Sequence, residues 1–326
     1  MRRRIPLILF SAASAAVFGL AAVDASGGGA GATPRTALTL VAPAAPGGGW
    51  DAFAREAQQV IRDEGASSTV QVVNVPGAAG TIGLGQVAQM GDRHDIMLVT
   101  GTVMIGGVAM ATSGETLEHT TPIARIADDY AVLVVPADSP YETLDDFVAA
   151  WQEDPGGTAI AGGSLGGIDH LVAGLAGAEV GIDPRDVNYI AYPGGGEVVS
   201  SMLSNSAAAG ISGLNEFRDQ IEVGNIRALA VSAEEPQEGL GIPTFREAGV
   251  DVAMSNWRGL VAPPDISDET RAELIAIVEE MQASDAWRAT LDRNNWTDSM
   301  LVGDEFGAFL EAESTRIETI IEELGL

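Results

Sequence analysis

Four times in this chain a short apolar run gives way to a glycine-rich turn and then to a helical pattern, an order that few folds accommodate. Ala37 to Val41 leads into Pro46-Gly47-Gly48-Gly49, after which Phe53, Ala54, Ala57, Val60 and Ile61 recur at helical spacing. Val70 to Val75 leads into Pro76-Gly77-Ala78-Ala79-Gly80, and Ile82, Leu84, Val87 and Ala88 follow. Thr158 to Ala161 leads into Gly162-Gly163-Ser164-Leu165-Gly166-Gly167 and a helix from Asp169. Val187 to Ala191 leads into Tyr192-Pro193-Gly194-Gly195-Gly196, where Glu197 opens the next helix. Strands that alternate with helices pair in parallel, since a parallel neighbour is reached only through a long crossover. Asp95 to Thr100 (ending in Gly101-Thr102), Ala131 to Val135, Ala207 to Ile211 and Ile226 to Ser232 read as further strands. Thr143 is placed to cap a helix over Tyr141 to Trp151, and the chain from Ser267 onward is mostly helical. The pattern stops after Thr102 and restarts at Ala131, so we expect an α/β protein of two lobes.

In open α/β sheets, ligands sit beyond the carboxyl ends of the strands. Helix N-termini there present free N–H groups and the positive end of the helix dipole, and glycine lets a ligand approach the backbone. One such turn is ordinarily just a connection. Four in the same topological position point to an anion held between the lobes. Nucleotides fit poorly as that anion. There is no phosphate-loop pattern, Gly77 to Gly85 does not match G-x-G-x-x-G, and the chain has no Lys to reach a phosphate.

All 17 basic residues are Arg, and the formal net charge is −29. A surface this acidic repels nucleic acid and anionic lipid, so neither is expected as a partner. An anionic ligand must then be held by local donors against an unfavourable overall field. The lack of Cys removes disulfides, thiolate metal sites, cysteine nucleophiles and a lipoprotein anchor. Catalytic sets are thin. His94 and His119 lie in polar connections, and His170 follows Asp169 at a helix start near Ser164. No G-x-S-x-G elbow is present, and neighbours in one helix do not ordinarily converge on one nucleophile. Asp128-Asp129 and Glu279-Glu280 read as solvated surface pairs. No enzyme activity, metal or cofactor is expected.

The N-terminus reads as an export signal: Arg2-Arg3-Arg4, an apolar stretch from Ile5 to Val23, a cleavage site near Val23-Asp24-Ala25, and a flexible spacer from Ser26 to Ala32. Residues 1–36 are assigned to signal and spacer, with an uncleaved tether as the alternative to a released, periplasmic or cell-surface protein.

The glycine turns and their flanks resemble the extracytoplasmic receptors of tripartite tricarboxylate transporters, also called Bug proteins. The resemblance is carried by Ala45-Pro46-Gly47-Gly48-Gly49-Trp50-Asp51, by Asn74-Val75-Pro76-Gly77-Ala78-Ala79-Gly80-Thr81-Ile82-Gly83, and by 162–171 and 192–197. Ile226 to Val231, Ile242 to Glu247 and Asn256 to Pro263 extend it over nearly the whole mature chain. It implies a two-lobed periplasmic-binding-protein-like fold of type II with the ligand in the cleft between the lobes. Lobe 1 would comprise 37–125 plus 258–326, and lobe 2 would comprise 126–257. The resemblance further implies that Gly48, Gly49, Trp50 and Asp51, with Gly77, Ala78, Ala79 and Gly80, hold a carboxylate through backbone N–H groups and water. Thr102 would join them from the first lobe. Ser164, Gly166, Asp169 and His170, then Gly194, Gly195, Gly196 and Asn215, would close from the second lobe. Trp50-Asp51 and Asp169-His170 are similar to the subgroup of tricarboxylate receptors. The lack of an Asp in Ile211-Ser212-Gly213-Leu214-Asn215 leans against an amino-acid ligand.

The expected function is therefore capture of a small di- or tricarboxylate such as citrate by a monomeric receptor, for delivery to the membrane subunits of a tripartite transporter. A carboxylate sensor feeding a kinase, or a hydrolase using Ser164 and His170, are the alternatives. Arg258 can either complement the ligand's charge or pair with a structural carboxylate.

Overall fold

The structure is a computed structural model that describes residues 33–91, 93–111, 114–237 and 239–326. The proposed export signal, and the spacer as far as Ala32, lie outside the described residues. No helix among those described is long and apolar enough to cross a membrane.

One long strand organises the rest. β4 (Thr121–Pro136) is sixteen residues long and changes partners along its length. From Thr121 to Tyr130 it pairs antiparallel with β9 (Ser255–Ala262), and between Ala124 and Asp128 also with β10 (Thr297–Val302). From Ala131 to Pro136 it pairs instead with β7 (Ala209–Gly213) and β8 (Ile226–Val231). In the first half of the sheet β1 (Leu38–Ala42) lies between β2 (Val70–Asn74) and β3 (Ile96–Gly101), parallel to both. In the second half β5 (Ile160–Gly162) lies parallel between β6 (Tyr189–Ala191) and β7. The order β2-β1-β3-β9-β4-β7-β5-β6 joins two α/β halves through the shared strand β4. The expected parallel pairing holds at the outer strands, while the strands around β4 are antiparallel.

The helices follow from amphipathic spacing and local caps. α1 (Gly49–Asp63) buries Trp50, Phe53, Ala54, Ala57, Val60 and Ile61. α2 (Thr81–Val87) and α3 (Thr102–Ala109) complete the first set of βα units. In the second half α4 (Leu144–Glu153) is capped by Thr143, whose hydroxyl accepts from the Asp146 N–H while Asp146 reaches back, as the sequence predicts. α5 (Ile168–Glu179), α6 (Gly195–Leu203) and α7 (Leu214–Glu222) each start at a strand end. α8 (Asp268–Ala283) and α9 (Asp285–Asn294) return to the first half, where Trp287 and Trp296 pack on Phe53 with ring centroids 6.0 and 5.7 Å away. α10 (Gly303–Leu324) serves both halves. Its first turns set Phe306 edge-on to Trp257 at 5.9 Å, and its last turn lays Leu324 against Gly174 of α5.

The stretch from Thr121 to Tyr130 was not foreseen as strand, because Arg125, Asp128 and Asp129 interrupt its apolar pattern. The pair Asp128-Asp129, expected on the solvated surface, is buried, at 8% and 5% exposure. Each acid has a partner that makes burial tolerable. Arg125 donates to Asp128 at 2.6 and 2.7 Å, and Arg258 donates to Asp129 at 3.1 Å.

Candidate functional site

All four glycine turns lie at carboxyl ends of strands and open helices or helical turns, as the sequence implies. In the first, Gly48 is the N-cap of α1, and the first intrahelical bond runs from Ala52 N–H to the Gly48 carbonyl. The N–H groups of Gly49 and Trp50 therefore stand free at the positive end of a fifteen-residue helix. Asp51 does not face outward from this loop. Its buried carboxylate accepts from Gly47 N–H at 2.8 Å, Arg55 Nε at 2.9 Å and Asn74 Nδ2 at 2.8 Å, which ties the loop to α1 and β2. Burial opposes its charge, but the Arg55, Gly47 and Asn74 donors outweigh burial and hold the carboxyl below its ordinary range.

The second turn is strained. Gly77, Ala78, Ala79 and Gly80 all have positive φ, at 129°, 48°, 52° and 91°. Such angles cost an L-residue roughly 1–2 kcal/mol each, so the two alanines store strain in this turn. Gly80 is required for space as well, since a Cβ on it would lie 2.7 Å from the Trp50 ring. The indole of Trp50 thus braces one loop against the other.

In the third turn the side chains again point back to the backbone. Asp169 Oδ2 accepts from Gly163 N–H at 2.8 Å, and His170 Nδ1 accepts from Gly166 N–H at 3.1 Å. The His170 ring lies against Tyr189, tilted by 32° with centroids 4.4 Å apart. Burial pushes His170 down to about 4, so it is neutral near pH 7. Burial, and then the negative charge of Glu216, push Asp169 up to about 7. Ser164 is exposed, and its carbonyl accepts from Gly167 N–H.

The fourth turn is held by Glu216, which follows Asn215 and is not among the site residues expected from the sequence. Glu216 Oε2 accepts from Gly195 N–H at 2.5 Å, leaving Gly194 and Gly196 on either side. Glu216 and Asp129 Oδ2 lie on the same side of Gly213, whose Cβ would fall 3.3 Å from Asp129 and 3.9 Å from Glu216. Burial pushes both acids up, against the pull of Arg258. Arg258 in turn lies against the first turn, 2.9 Å from where a Cβ of Gly49 would be. Of the two roles left open for Arg258, the pairing with a buried carboxylate is present.

Two candidates are engaged elsewhere. Thr102 is fully buried at the start of α3, and its hydroxyl donates to the Ser255 carbonyl at 2.9 Å, pinning α3 to β9. Asn215 donates to the Asn294 carbonyl at 2.7 Å, and Arg218 beside it donates to the Arg293 carbonyl at 2.9 Å. Those are the last carbonyls of α9, so the second half caps a helix of the first.

The two halves meet closely. α3 abuts the third turn so tightly that a Cβ on Gly106 would collide with the Gly166 carbonyl oxygen. Val103 Cγ1 stands 3.6 Å from the Cβ position of Gly167. The sequence motifs gave no hint of Gly106, Arg218 or of Asp129 as the carboxylate that pairs with Arg258. The glycines of α3 and the isolated Arg residues were the only available signals.

The profile of the tripartite tricarboxylate transporter family receptor (TctC) matches residues 53–326. The chain belongs to that receptor family. Among relatives of TctC type, the protein BugT of Bordetella pertussis is 26% identical over 298 residues, covering 90% of each chain. A TctC solute-binding protein from Polaromonas, crystallised without ligand, is 26% identical with a TM-score of 0.69, covering 90% of this chain and all of that one. The Rhodopseudomonas palustris protein Rpa4515 with adipate has a TM-score of 0.81 at 22% identity, covering 90% and 98%. MatC of R. palustris with bound malate has a TM-score of 0.76 at 20% identity, covering 88% and 99%. The architecture is the periplasmic-binding-protein fold of TctC receptors, and the chain is a solute-binding receptor rather than an enzyme.

Proposed function

We propose that this TctC receptor captures a small di- or tricarboxylate between its two halves and presents it to the membrane subunits of a tripartite transporter. One observation carries the ligand class. Arg258 is 6% exposed and lies against the Gly49 turn, yet its Nε–H has no acceptor among the described residues. A buried charged donor without an acceptor is costly, and a carboxylate beside the open N–H groups of Gly49 and Trp50 would satisfy it. The indole N–H of Trp50 is also unpartnered, but so are the other four, so it argues little alone. Adipate and malate in the two R. palustris relatives support the same class.

In this reading Gly48 to Trp50 and Gly77 to Gly80 receive the ligand on lobe 1, which comprises 37–125 with 258–326. The turns at 163–167 and 193–196 close from lobe 2, 126–257. Asp51, Asp169, His170 and Asn215 act by holding loops and lobes in place. The protein works outside the cytoplasm, exported by its N-terminal segment. A thermal-shift panel of citrate, malate, adipate and related acids tests the ligand class. At a hundredfold excess over Kd the stabilisation is about 2.7 kcal/mol, which raises Tm by about 5 °C. A panel in which no carboxylate shifts Tm would rule the reading out.

A further inference from the structure

Two buried carboxyls, Asp129 and Asp169, and a third that reaches the surface, Glu216, lie near one guanidinium where the halves join. Asp129 on β4 pairs with Arg258 on β9 at 3.1 Å. Glu216 on α7 shares the Gly213 face with Asp129, and the negative charges of Glu216 and Asp129 act on Asp169 of α5. All three acids are attached to turns of the cleft. Asp169 holds the Gly163 N–H, Glu216 holds the Gly195 N–H, and Asp129 holds the Arg258 that lies on Gly49. The other titratable or charged groups facing them are His170 on α5, Tyr189 on β6 and Arg218 on α7. His170 is neutral, Tyr189 is held protonated by burial, and Arg218 is turned toward the α9 carbonyls. Fully ionised, the group carries three negative charges against the one buried positive charge of Arg258.

An incoming carboxylate adds a further negative charge to this group, and closing the halves removes the water that screens it. Like charges that share a dry site cannot all stay ionised. Among the described residues no set of three His, Asp or Glu is spaced to hold a metal ion that would offset the charge. Arg258 is already shared, with its Nε directed to no protein acceptor. We propose that capture of the carboxylate is coupled to uptake of one proton by the cluster of Asp129, Asp169 and Glu216. The proton comes from solvent as the halves close and returns to it as they part. This rests on the carboxylate reading above. Asp169 is where the proton resides: it is buried, accepts one hydrogen bond from Gly163 N–H and has no ion pair among the described residues, whereas Asp129 is paired with Arg258 and Glu216 is exposed.

The sign follows from linkage. A carboxyl with its ordinary value near 4 in the open form and a raised one in the closed form favours closure as pH falls between those values. Affinity therefore rises as pH falls from about 7 to about 6, by up to about tenfold per unit where the coupling is complete. Malate and adipate remain essentially dianionic down to the lower part of that range, so the ligand's own titration contributes little there.

The test is calorimetric titration of the full chain near pH 6.5, with malate and adipate for the proton number and with citrate for binding alone, in buffers of small and large ionisation enthalpy. The expected result is a binding heat that depends linearly on buffer ionisation enthalpy, with a slope of about one proton taken up. Binding whose heat is the same in every buffer would overturn the proton coupling and leave the carboxylate reading standing. No binding of any of the three acids would overturn both. Asp169→Asn should lower the proton number by half or more, and Glu216→Gln serves if that variant does not fold. An undiminished proton number in whichever variant folds would remove the cluster as the acceptor.

Discussion

Gly106 of α3 and Gly166 of the third turn touch backbone to backbone, with no room for a methyl group on Gly106. The two residues belong to opposite halves of the sheet, so the contact exists only when the halves are together. Gly106→Ala should leave the separate halves intact, since alanine favours a helix over glycine by about 1 kcal/mol. It should instead prop the cleft open. We expect a radius of gyration by small-angle scattering that no longer shrinks with ligand, and a carboxylate affinity lowered by about tenfold or more. Unchanged affinity would mean that this contact is not made in the bound form.

The strained turn allows an opposite dissociation of stability from binding. Ala79 has φ 52° beside Ala78 at 48°. Ala79→Gly removes the steric cost of that angle but adds backbone freedom to the unfolded chain and to the loop. Chemical denaturation should show a change within about 1 kcal/mol, while ligand affinity falls several-fold because the loop must be ordered on binding.

Asp169 and His170 give the fold two opposed pH slopes. Asp169 is raised to about 7, so its contribution is fully present below the ordinary carboxyl value and is lost as pH rises toward 7. His170 is lowered to about 4, so its contribution is present above the ordinary imidazole value and is lost as pH falls from about 6.5 toward 4. Between about pH 6.5 and 4 the two slopes oppose each other. Asp169→Asn, with an amide oxygen still able to accept from Gly163, should expose the histidine slope as a steeper fall of Tm with acid. A Tm profile parallel to that of the parent would show that the Asp169 carboxyl is not raised.

Arg218 and Asn215 cap the carbonyl end of α9 from the other half. Arg218→Ala removes a charged donor from two partners and should speed ligand release several-fold in stopped-flow measurements, with little effect on the capture rate. Arg258→Met tests something different. It leaves Asp129 buried without its partner, and should cost about 3–5 kcal/mol in denaturant titrations near neutral pH.

The positions of the four turns were legible because a glycine-rich strand end is a local feature, written in consecutive residues. The same holds for the Thr143 cap of α4. The direction of the side chains was not. A carboxylate beside a glycine turn can face a ligand or its own loop, and only the folded geometry shows that Asp51 and Asp169 turn to Gly47 and Gly163. The lobe crossing was hidden for a related reason. The first part of β4 carries Arg125, Asp128 and Asp129, whose partners include residues 129 and 171 positions away. Charge patterns read locally assign such residues to the surface, and distant pairing places them inside.

α10 starts on Trp257 in one half and ends on Gly174 in the other. At about 1.5 Å per residue its 22 residues form a rod roughly 33 Å long, stiff compared with the strands of the hinge. A rod fixed at one end converts a small hinge rotation into a larger sweep at its tip. Leu324, buried against Gly174 of α5, is the far-end contact through which motion between the halves acts on this rod. The last turn of the chain becomes a pointer whose position reads the angle of the trap, on a protein with no native cysteine to compete with a label placed there.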